Sequence, residues 1–389
     1  MYFNHRMFLK ALSLALRKKP FRLRRWAFVG FFAILFFLFL GLVLIGRALD
    51  EVFARGYRRT TLDQPVFIIA PPRSGTSFLQ KLLSLDEERF VHLNLYQTIL
   101  PSVCFQRLVS TAVSLDSKLG GHLARLLGWC EGKWFGDWDD LHRMRLNQPE
   151  EDQALFVYAF AGEAIYMLFP FVNELWEVGF PDALPPDHQR RLMAYYRSCL
   201  QRHVYANGAG RTLLVKATNS CGAVESLLRE FPDARFITIS RHPRRSIASH
   251  VSLYVPPWQA HSPEIQKDGP EARAYAELAV AYYRHLFRFF GKLAPDRSYR
   301  IDYRELVRDP LRTVEAVYRH FGWSLSAAYR ARLEAVGKRQ RSFSSAHQYS
   351  LEEFGLSEAW IEANLGEVIA AYGLDDASRE SAPAIERSA

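Results

Sequence analysis

The sequence predicts an α/β fold, a parallel sheet flanked by helices, with a membrane helix ahead of it. Three observations support this prediction. A run of 20 residues without charge, 27–46, lies near the N-terminus. Two later segments, 65–85 and 213–253, each contain a short apolar strand followed by a polar loop and a helix. Strands and helices that alternate in this way form parallel sheets.

The composition is that of a folded chain with a sizeable core. Of the 389 residues, 49% are hydrophobic and 23% are charged, which excludes disordered, collagenous and low-complexity proteins. The sequence has no repeat at a fixed period, so it does not indicate a solenoid or a propeller. The four cysteines are far apart and have no histidine at zinc spacing. We therefore expect neither a disulfide framework nor a structural metal site.

The net charge of +9 is concentrated at the N-terminus. Residues 1–59 contain twelve Lys or Arg against two acidic residues, a local charge of +10, so the other 330 residues carry −1. A basic chain can indicate a nucleic-acid binder, but these charges flank an apolar run and indicate an anionic membrane surface instead. We expect the lipid bilayer as a partner and no nucleic acid.

The uncharged run Ala27 to Gly46 predicts a membrane helix. At about 1.5 Å rise per residue it extends roughly 30 Å, the thickness of a bilayer hydrocarbon core. Trp26 precedes it as an interfacial aromatic residue, and basic residues flank both ends. The pattern favours a membrane span or an in-plane anchor over a buried core helix. We predict a single-pass transmembrane helix at residues 26–46.

Residues 1–25 predict a basic amphipathic segment on the membrane surface. Helical spacing places four apolar side chains on one face, beside a face of Lys and Arg: Phe8, Leu9, Leu12 and Leu16. Eight Lys or Arg precede the span and four follow it, which favours a cytoplasmic N-terminus. The side of the membrane that holds the C-terminal domain stays open, because both flanks are basic.

The rest of the chain divides by its pattern. Residues 47–64 predict a linker, residues 65–373 the main domain with a helical insert at about 95–205, and residues 374–389 a disordered tail. Within the insert, residues 153–172 are nearly all apolar. Because Glu163 lies in the middle of this run and Pro170 interrupts it, we expect a buried helix rather than a second membrane span.

The first strand–loop–helix segment predicts an anion-binding loop. Pro65 to Ala70 is the strand, Pro71 to Ser77 is the loop PPRSGTS, and Phe78 to Leu85 has helical spacing. Unpaired N–H groups and the positive end of the dipole at a helix N-terminus favour a phosphate or sulfate there. The side chains of the loop add a forked cation and hydroxyl donors: Arg73, Ser74, Thr76 and Ser77.

This loop is P-loop-like but departs from the nucleotide-hydrolase pattern GxxxxGK[ST]. Gly75 is kept, whereas Ala70 stands at the first glycine and Thr76 replaces the lysine. An ATP γ-phosphate would lack its main cation here. The pattern therefore argues against a kinase, and an ordinary turn that caps a helix remains the structural alternative for the loop taken alone.

The second segment predicts another anion contact at the end of a strand. It is interpreted as a strand at Leu213 to Ala217, a helix at Gly222 to Glu230, a strand at Arg235 to Ser240 and a helix from about Arg244 to Leu253. Arg241 follows the second of these strands, and Ser249 lies about two helical turns further on. An arginine and a serine placed in this way can clasp a dianionic phosphate.

These motifs together resemble the sulfotransferase superfamily that uses 3′-phosphoadenosine 5′-phosphosulfate (PAPS), and more narrowly its bacterial-type family. The resemblance covers about Pro65 to Gly373. It rests on five stretches: PRSGTS after a buried strand, FPDARFITISRHPRRSIASH at 231–250, HRMRLNQPEED at 142–152, IDYRELVRDP at 301–310 and AHQYSLEEFG at 346–355.

The resemblance implies residue roles. The 5′-phosphosulfate would be held by Arg73, Ser74, Gly75, Thr76 and Ser77, and the 3′-phosphate by Arg241 and Ser249. Sulfuryl transfer needs charge neutralised on the bridging and sulfuryl oxygens, for which Arg73 is the candidate, and it needs no metal. Lys216 is similar to the lysine of the family's LLLKSP segment, although Ala-Thr-Asn follows here. It either contacts the sulfuryl group or pairs with a carboxylate.

The general base is expected in the acidic run after Pro149. An attacking hydroxyl must lose its proton to a carboxylate or histidine within reach, and clustered carboxylates make a stronger base. We favour Glu151, with Glu150 and Asp152 as alternatives. The same run is also typical of a helix N-terminus without catalytic function. Two histidines are weaker candidates: His142 and His250.

The sequence therefore predicts a membrane-anchored, PAPS-dependent sulfotransferase. Its acceptor would be a hydroxyl, less favourably an amine, of a membrane-associated lipid or glycan, and the apolar insert favours a partly apolar acceptor. A P-loop kinase and a non-catalytic membrane-tethered nucleotide-binding protein are the alternatives. The catalytic domain would face the cytoplasm in a bacterium or the Golgi lumen in a eukaryote.

Overall fold

The computed structural model describes residues 1–122, 125, 126, 128, 145–208, 210–340 and 350–374. Its centre is a five-stranded sheet in which all paired strands are parallel, in the order β2-β3-β1-β4-β5. The strands are β1 (Val66–Ile68), β2 (Phe90–His92), β3 (Thr212–Lys216), β4 (Arg235–Ser240) and β5 (Ser298–Asp302). The predicted α/β sheet is confirmed.

The central strand β1 fixes the geometry of the whole sheet. Phe67 lies opposite Val215 of β3 and Phe236 of β4, and every residue of β1 is fully buried. Alternate side chains enter two separate cores: Phe67 packs into one, and Val66 and Ile68 into the other. Because the strands are parallel, the loops that follow them meet at one edge of the sheet.

Helices cover both faces of the sheet, as the two cores require. The described helices are α1 (His5–Arg17), α2 (Leu23–Phe53), α3 (Thr76–Ser84), α4 (Leu95–Ile99), α5 (Val103–Lys118), α6 (Gln153–Tyr158), α7 (Trp176–Gly179), α8 (Pro186–Asn207), α9 (Val224–Glu230), α10 (Pro243–His261), α11 (Pro270–Lys292), α12 (Tyr303–Arg308), α13 (Pro310–His320), α14 (Ala327–Gln340) and α15 (Glu358–Tyr372). The expected tail, apart from Leu374, lies outside the described residues.

The apolar segment 153–172 is buried but is not one helix. Helix α6 ends at Tyr158, and a 3-10 turn follows at Glu163–Met167. Between them Phe160 and Gly162 have positive φ values of 50° and 92°, outside the right-handed helical region. A Cβ at Gly162 would lie 3.1 Å from that of Phe156. The expectation of a continuous helix is therefore wrong, because the chain folds back on itself here.

Helix α10 is longer than the sequence predicts. It begins at Pro243, where the His242 side chain accepts a hydrogen bond from the N–H of Arg244 at 3.2 Å. It continues through Pro256 and Pro257 to His261, although proline interrupts the backbone hydrogen bonds of a helix. The ring of Trp258 is fully buried and its Nε1 donates to the carbonyl of Tyr166 at 2.7 Å. Tertiary packing therefore extends the helix.

Helix α1 packs against the rest of the protein through a face that shares only Phe8 with the predicted apolar face. Leu9 is 61% exposed, whereas Phe8 is buried with its ring 5.2 Å from that of Phe160. The buried positions of the helix include two alanines that allow close approach: Met7, Phe8, Ala11 and Ala15. Of the predicted apolar face, Phe8 therefore contacts the main domain while Leu9 stays exposed; that this segment lies on a membrane surface stays a prediction.

Helix α2 is the one helix, among the described residues, that is long and apolar enough to cross a membrane by length and composition. It has 31 residues and extends beyond the predicted 26–46 at both ends. The last turns of α2 contain residues 47–53, which the sequence assigns to the linker. That the helix crosses a bilayer stays a prediction.

The C-terminal part of α2 is joined to the domain by a buried ion pair. Asp50 Oδ2 lies 2.8 Å from Arg202 Nε of α8, and neither side chain is more than 1% exposed. Asp50 also accepts hydrogen bonds from the Ser102 hydroxyl and from the N–H groups of Val103 and Cys104 at 2.9–3.0 Å. One carboxylate therefore caps α5 and connects α2 to α8.

We predict that Asp50→Ala destabilises the fold by about 3 kcal/mol, because it leaves the Arg202 charge buried without its main partner. The measurement is urea unfolding in mild detergent. The matched control, Arg190→Ala, breaks the exposed Arg190–Asp187 pair of α8 and should change the free energy of unfolding little. Equal losses in both variants would contradict the prediction.

Candidate active site

The loop after β1 turns sharply into α3 at the carboxyl edge of the sheet. Arg73 and Gly75 both have left-handed backbone conformations, with φ values of 64° and 92°. A Cβ at Gly75 would lie 3.0 Å from two ring carbons of Tyr303. Glycine is therefore required at this position for both its φ value and the close approach of the ring. The turn leaves the N-terminus of α3 facing the edge where the loops meet.

The two anion motifs of the sequence form one hydrogen-bonded unit. Arg241 Nη1 donates to the carbonyl of Arg73 at 2.6 Å. The Ser246 hydroxyl donates to the carbonyl of Pro72 at 2.6 Å. Arg73 Nε in turn donates to the Ser249 hydroxyl at 3.0 Å, across 176 positions of sequence. The structure thus brings Arg73, Arg241 and Ser249 together, because β1 and β4 lie side by side.

Arg241 is held in place by its neighbours, but its Nε–H group donates no hydrogen bond to the described residues. Its guanidinium carbon lies 4.2 Å from the centroid of the Tyr303 ring, and its carbonyl accepts from the Tyr283 hydroxyl at 3.1 Å. Within the described part of the chain, Arg241 Nε and Ser74 Oγ are buried polar atoms without a hydrogen-bond partner. Such atoms are costly unless a ligand satisfies them. An anion at this loop would do so.

Lys216 lies at the end of β3, on the other side of the loop. Its Nζ donates to the Ser77 hydroxyl at 2.8 Å and lies 3.5 Å from Glu150 Oε1 and 3.9 Å from Glu151 Oε2. Burial lowers its pKa, but the carboxylates of Glu151 and Glu150 outweigh this effect and raise the pKa above its ordinary value. Lys216 is thus a buried, charged ammonium group between the anion loop and the acidic run.

The acidic run places its three carboxylates in different environments. Glu151 is partly exposed and accepts a hydrogen bond from the Thr218 hydroxyl. Glu150 is buried, and its Oε1 accepts from the N–H of Glu151 at 3.0 Å. The backbone of Glu150 is also fixed, since its carbonyl accepts from Gln80 Nε2 at 3.1 Å. Of these two, Glu151 is the carboxylate that a substrate can approach more readily.

Asp152 is fully buried and points at a tyrosine. The Tyr196 hydroxyl donates to its Oδ2 at 2.6 Å, and its own N–H donates to the carbonyl of Lys216 at 3.2 Å. Burial raises the pKa of Asp152 to about 7, and the nearby carboxylate of Glu151 acts in the same direction. Asp152 therefore joins β3 to α8 and is not accessible as a base.

His250 is a packed residue rather than an accessible one. It is 1% exposed, its Nε2 lies 2.9 Å from the Tyr275 hydroxyl, and Glu163 Oε1 lies 3.4 Å from the same nitrogen. The other weak candidate, His142, lies outside the described residues. In the part of the chain that the structure describes, no three or more His, Cys, Asp or Glu side chains are grouped to hold a metal ion.

Two residues that contribute to the site were not singled out from the sequence. Tyr303 lies under Arg241 and against Gly75, and Thr218 orients Glu151. Tyr303 belongs to the IDYRELVRDP stretch, so the resemblance could have identified it. Thr218 belongs to the Ala-Thr-Asn departure after Lys216, where the family pattern gives no role.

The chain is similar in sequence to known sulfotransferases. A model described as the sulfotransferase family matches residues 65–327. The omega-hydroxy-beta-dihydromenaquinone-9 sulfotransferases Stf3 of Mycobacterium bovis and Mycobacterium tuberculosis are each 25% identical over 349 residues. Each alignment covers 85% of this chain and 81% of the relative.

Solved structures share the fold. Sulfotransferase STF9 from Mycobacterium avium has a TM-score of 0.69 at 20% identity, covering 86% of this chain and 82% of its own. Sulfotransferase STF1 from Mycobacterium tuberculosis has a TM-score of 0.64 at 21% identity, covering 94% and 92%. The likeness to STF1 therefore extends over nearly the full length of both chains.

We predict that Asp152→Asn gains stability relative to the wild-type protein as the pH rises. The folded pKa of Asp152, about 7, exceeds the ordinary value of 3.8, so the folded state binds the proton more tightly than the unfolded state. The stability that this proton provides is present below pH 4 and is lost as the pH rises towards 7. Asparagine does not titrate, so the variant keeps its stability over this range.

The measurement is the free energy of unfolding of variant and wild type at pH 5 and pH 8. The difference between the two proteins should shift by about 2 kcal/mol in favour of the variant between these values. Asp187→Asn, an exposed carboxylate of α8, is the matched control and should show no such shift. A pH-independent difference for Asp152→Asn would contradict the raised pKa.

Proposed function

The chain belongs to the sulfotransferase family, and we propose that it moves a sulfuryl group from PAPS to a hydroxyl group of a membrane-associated lipid. The observation that carries the proposal is the hydrogen-bonded unit of the two anion motifs. Arg241 Nε and Ser74 Oγ belong to these two motifs and are buried polar atoms without a protein partner among the described residues. A ligand with two separate anionic groups fits such a site.

The residues of the first loop would hold the 5′-phosphosulfate: Arg73, Ser74, Gly75, Thr76 and Ser77. Thr76 is buried at the first position of α3, where the backbone N–H groups and the helix dipole favour an anion. Arg241 and Ser249 would hold the 3′-phosphate. Because Arg73 Nε bonds to Ser249 Oγ, one guanidinium group lies between the two proposed phosphate positions.

The protein's part in the reaction is mostly electrostatic. PAPS supplies an electrophilic sulfuryl group whose leaving group is a phosphate. Arg73 and Lys216 would neutralise the charge that develops on the oxygens between them, as preorganised cations do in group-transfer enzymes. Lys216 is suited to this because its raised pKa keeps it charged although it is buried.

Glu151 is the proposed general base. Its carboxylate is partly exposed, is oriented by the Thr218 hydroxyl, and lies 3.9 Å from the Lys216 ammonium group. A base in this position would take the proton of the acceptor hydroxyl close to the cation that stabilises the sulfuryl oxygens. Asp152 is held by Tyr196, and Glu150 is buried beside Lys216, so neither offers the same access.

A lipid with a free hydroxyl is the proposed acceptor class. The Stf3 relatives are named for an omega-hydroxy dihydromenaquinone, a long apolar molecule with a hydroxyl group. In this chain the acidic run continues directly into the apolar segment 153–172, where the Phe156 and Tyr196 rings are 4.9 Å apart. The proposed base is thus followed immediately by apolar residues, which suits an acceptor that is mainly hydrocarbon.

We predict that Arg73→Ala lowers kcat by about 100-fold or more, since it removes a cation that acts on the reacting oxygens.

Arg241→Ala should mainly raise the KM for PAPS, by about tenfold to 100-fold, because it removes a charge-assisted contact to the nucleotide. The assay follows labelled sulfate from PAPS into an omega-hydroxylated menaquinol and into a membrane lipid extract. Arg288→Ala, an exposed arginine of α11, is the matched control.

The same assay separates the alternatives. Failure of the wild-type protein to bind PAPS would overturn the proposed donor. Binding of PAPS without transfer to any lipid would favour a non-catalytic nucleotide-binding protein, and phosphorylation that depends on ATP would favour a kinase.

We predict that Glu151→Gln lowers kcat by about 100-fold to 10,000-fold, because the acceptor hydroxyl loses its base. PAPS affinity, measured by equilibrium binding, should stay the same. Glu150→Gln is the matched control from the same acidic run and should cause a smaller loss. If the Glu150 variant loses more activity than the Glu151 variant, the assignment of the base is wrong.

A further inference from the structure

Helix α2 contacts the main domain along its length and exposes an apolar face on the opposite side. We propose that α2 does not cross the bilayer but lies in the plane of one leaflet, with this exposed face inserted among the lipids. The inference rests on the proposed membrane association, and it does not depend on the sulfuryl transfer.

The N-terminal end of α2 is attached to the main domain. Arg25 is 2% exposed although it lies next to the uncharged run. Its Nε donates to the Ser262 hydroxyl at 2.7 Å, and its guanidinium group pairs with Glu264. Both partners belong to the segment directly after α10. The beginning of α2 is therefore held by a buried, charged contact to the domain that carries the anion site.

The C-terminal end of α2 is attached to the same domain. Asp50 pairs with Arg202 of α8 at 2.8 Å, and one turn earlier Arg47 Nη2 donates to the Ser198 hydroxyl of α8 at 3.0 Å. Arg25 and Asp50 are separated by roughly 37 Å of helix at about 1.5 Å per residue. A helix that crossed a bilayer would place these two ends on opposite sides of a hydrocarbon core about 30 Å thick.

The segment ahead of α2 also contacts the domain that follows it. The N–H of Asn4 donates to the carbonyl of Ala159 at 2.9 Å, and the Tyr2 hydroxyl lies 3.1 Å from His188 Nδ1 of α8. Lys18, between α1 and α2, pairs with Glu271 of α11. Since residues before and after the uncharged run share one folded body, they lie on one side of the membrane.

The exposed face of α2 is apolar along the whole helix. Five residues spaced three, four or seven positions apart form a stripe in which each side chain is more than half exposed: Phe31, Ile34, Leu38, Ile45 and Val52. The stripe that packs on the protein lies about 200° around the helix: Val29, Phe36, Val43 and Asp50. A helix that is apolar all round, and covered by protein on one face only, needs a second apolar environment on the other.

Helix α5 extends this surface. It packs against α2 at Gly46, where a Cβ would lie 2.6 Å from the Phe105 ring. Leu108 and Leu115 of α5, and Leu119 directly after it, are apolar, more than half exposed and on one face by helical spacing. We call the exposed stripe of α2 together with these three residues the α2/α5 apolar surface. Exposed apolar residues on two packed helices present a broader surface to a bilayer than those of one helix.

The charges around this surface fit an anionic leaflet. Exposed basic residues adjoin the N-terminal end of α2: Arg17, Lys19, Arg22 and Arg24. Others follow its C-terminal end: Arg55, Arg58 and Arg59. Cations at both ends of an apolar face are typical of helices that lie on anionic membranes. A second copy of the chain is a poorer occupant, because a two-fold dimer would bring like charges together.

The topology is tested with single cysteines in sealed vesicles. Cys104→Ser and Cys130→Ser give the parent protein, which keeps the buried Cys199 and Cys221. His5→Cys then marks the segment before α2, and Glu362→Cys marks the main domain. We expect a membrane-impermeant maleimide to label both cysteines in one vesicle orientation and neither in the other. Labelling of the two from opposite sides would overturn the proposal.

The surface is tested by flotation with vesicles of phosphatidylglycerol and phosphatidylcholine. The variant Phe31→Gln, Ile34→Gln, Leu38→Gln should bind at least ~100-fold more weakly than wild type, because three inserted apolar side chains are lost. The matched control Phe31→Leu, Ile34→Leu, Leu38→Ile keeps the apolar stripe and should bind like wild type. Circular dichroism and thermal unfolding establish that both variants are folded.

Two results would contradict the surface assignment. The first is flotation of the glutamine variant to the same extent as the wild-type protein. The second is conversion of a dimer to a monomer by the glutamine substitutions with flotation unchanged, which would make a second copy the occupant. None of these measurements uses sulfuryl transfer, so an inactive protein that lies in the membrane plane would contradict the proposed function alone.

Discussion

The structure depends on the three hydrogen bonds that join the loop after β1 to the beginning of α10. Arg241 and Ser246 donate to consecutive carbonyls of that loop, and Arg73 returns a donor to Ser249. These bonds are possible because β1 and β4 are adjacent parallel strands, so both chains leave the sheet at the same edge. Two carbonyls of the loop are used in this contact, whereas the buried Ser74 hydroxyl has no hydrogen-bond partner among the described residues. Under the proposed function, the fold would fix the donors of the anion site before the ligand binds.

The charges of the site are divided between two sides of the same loop. Arg241 and Ser249 lie on the side of β4, where they contact the Arg73 carbonyl, the Tyr303 ring and the Arg73 guanidinium group. Lys216 lies on the side of β3, between Ser77 and two glutamates. A cation on the first side is available to a nucleotide phosphate, whereas the cation on the second side is shared with the proposed base. This division follows from the strand order, since β1 separates β3 from β4.

The sequence was sufficient to predict what depends on local pattern. Apolar β-branched strands bounded by polar loops identified β1, β3 and β4 to within a few residues, and parallel strand pairing explains why Arg73, Arg241 and Ser249 meet. The helix predictions that differ from the structure do so because of tertiary contacts. The break at Phe160 and Gly162 depends on a chain reversal that periodicity does not reveal. Helix α10 passes through Pro256 and Pro257 because Trp258 is anchored in the core. In α1 the buried face includes Ala11 and Ala15, and small residues of this kind carry little weight in a hydrophobic pattern.

The position of α2 shows most clearly why length and composition are insufficient. A span and an in-plane helix can share the same uncharged run, and the residues that distinguish them here are the charged ones at its ends. From the sequence, Arg25 and Asp50 are flanking charges; in the structure both are buried in contacts with the main domain. A domain attached through both ends of an in-plane helix keeps a fixed height and orientation relative to the leaflet. The proposed base would then stay at one depth while lipid acceptors diffuse past it in two dimensions. The proposed nucleotide donor, which is charged and soluble, would enter from the aqueous side of the same body.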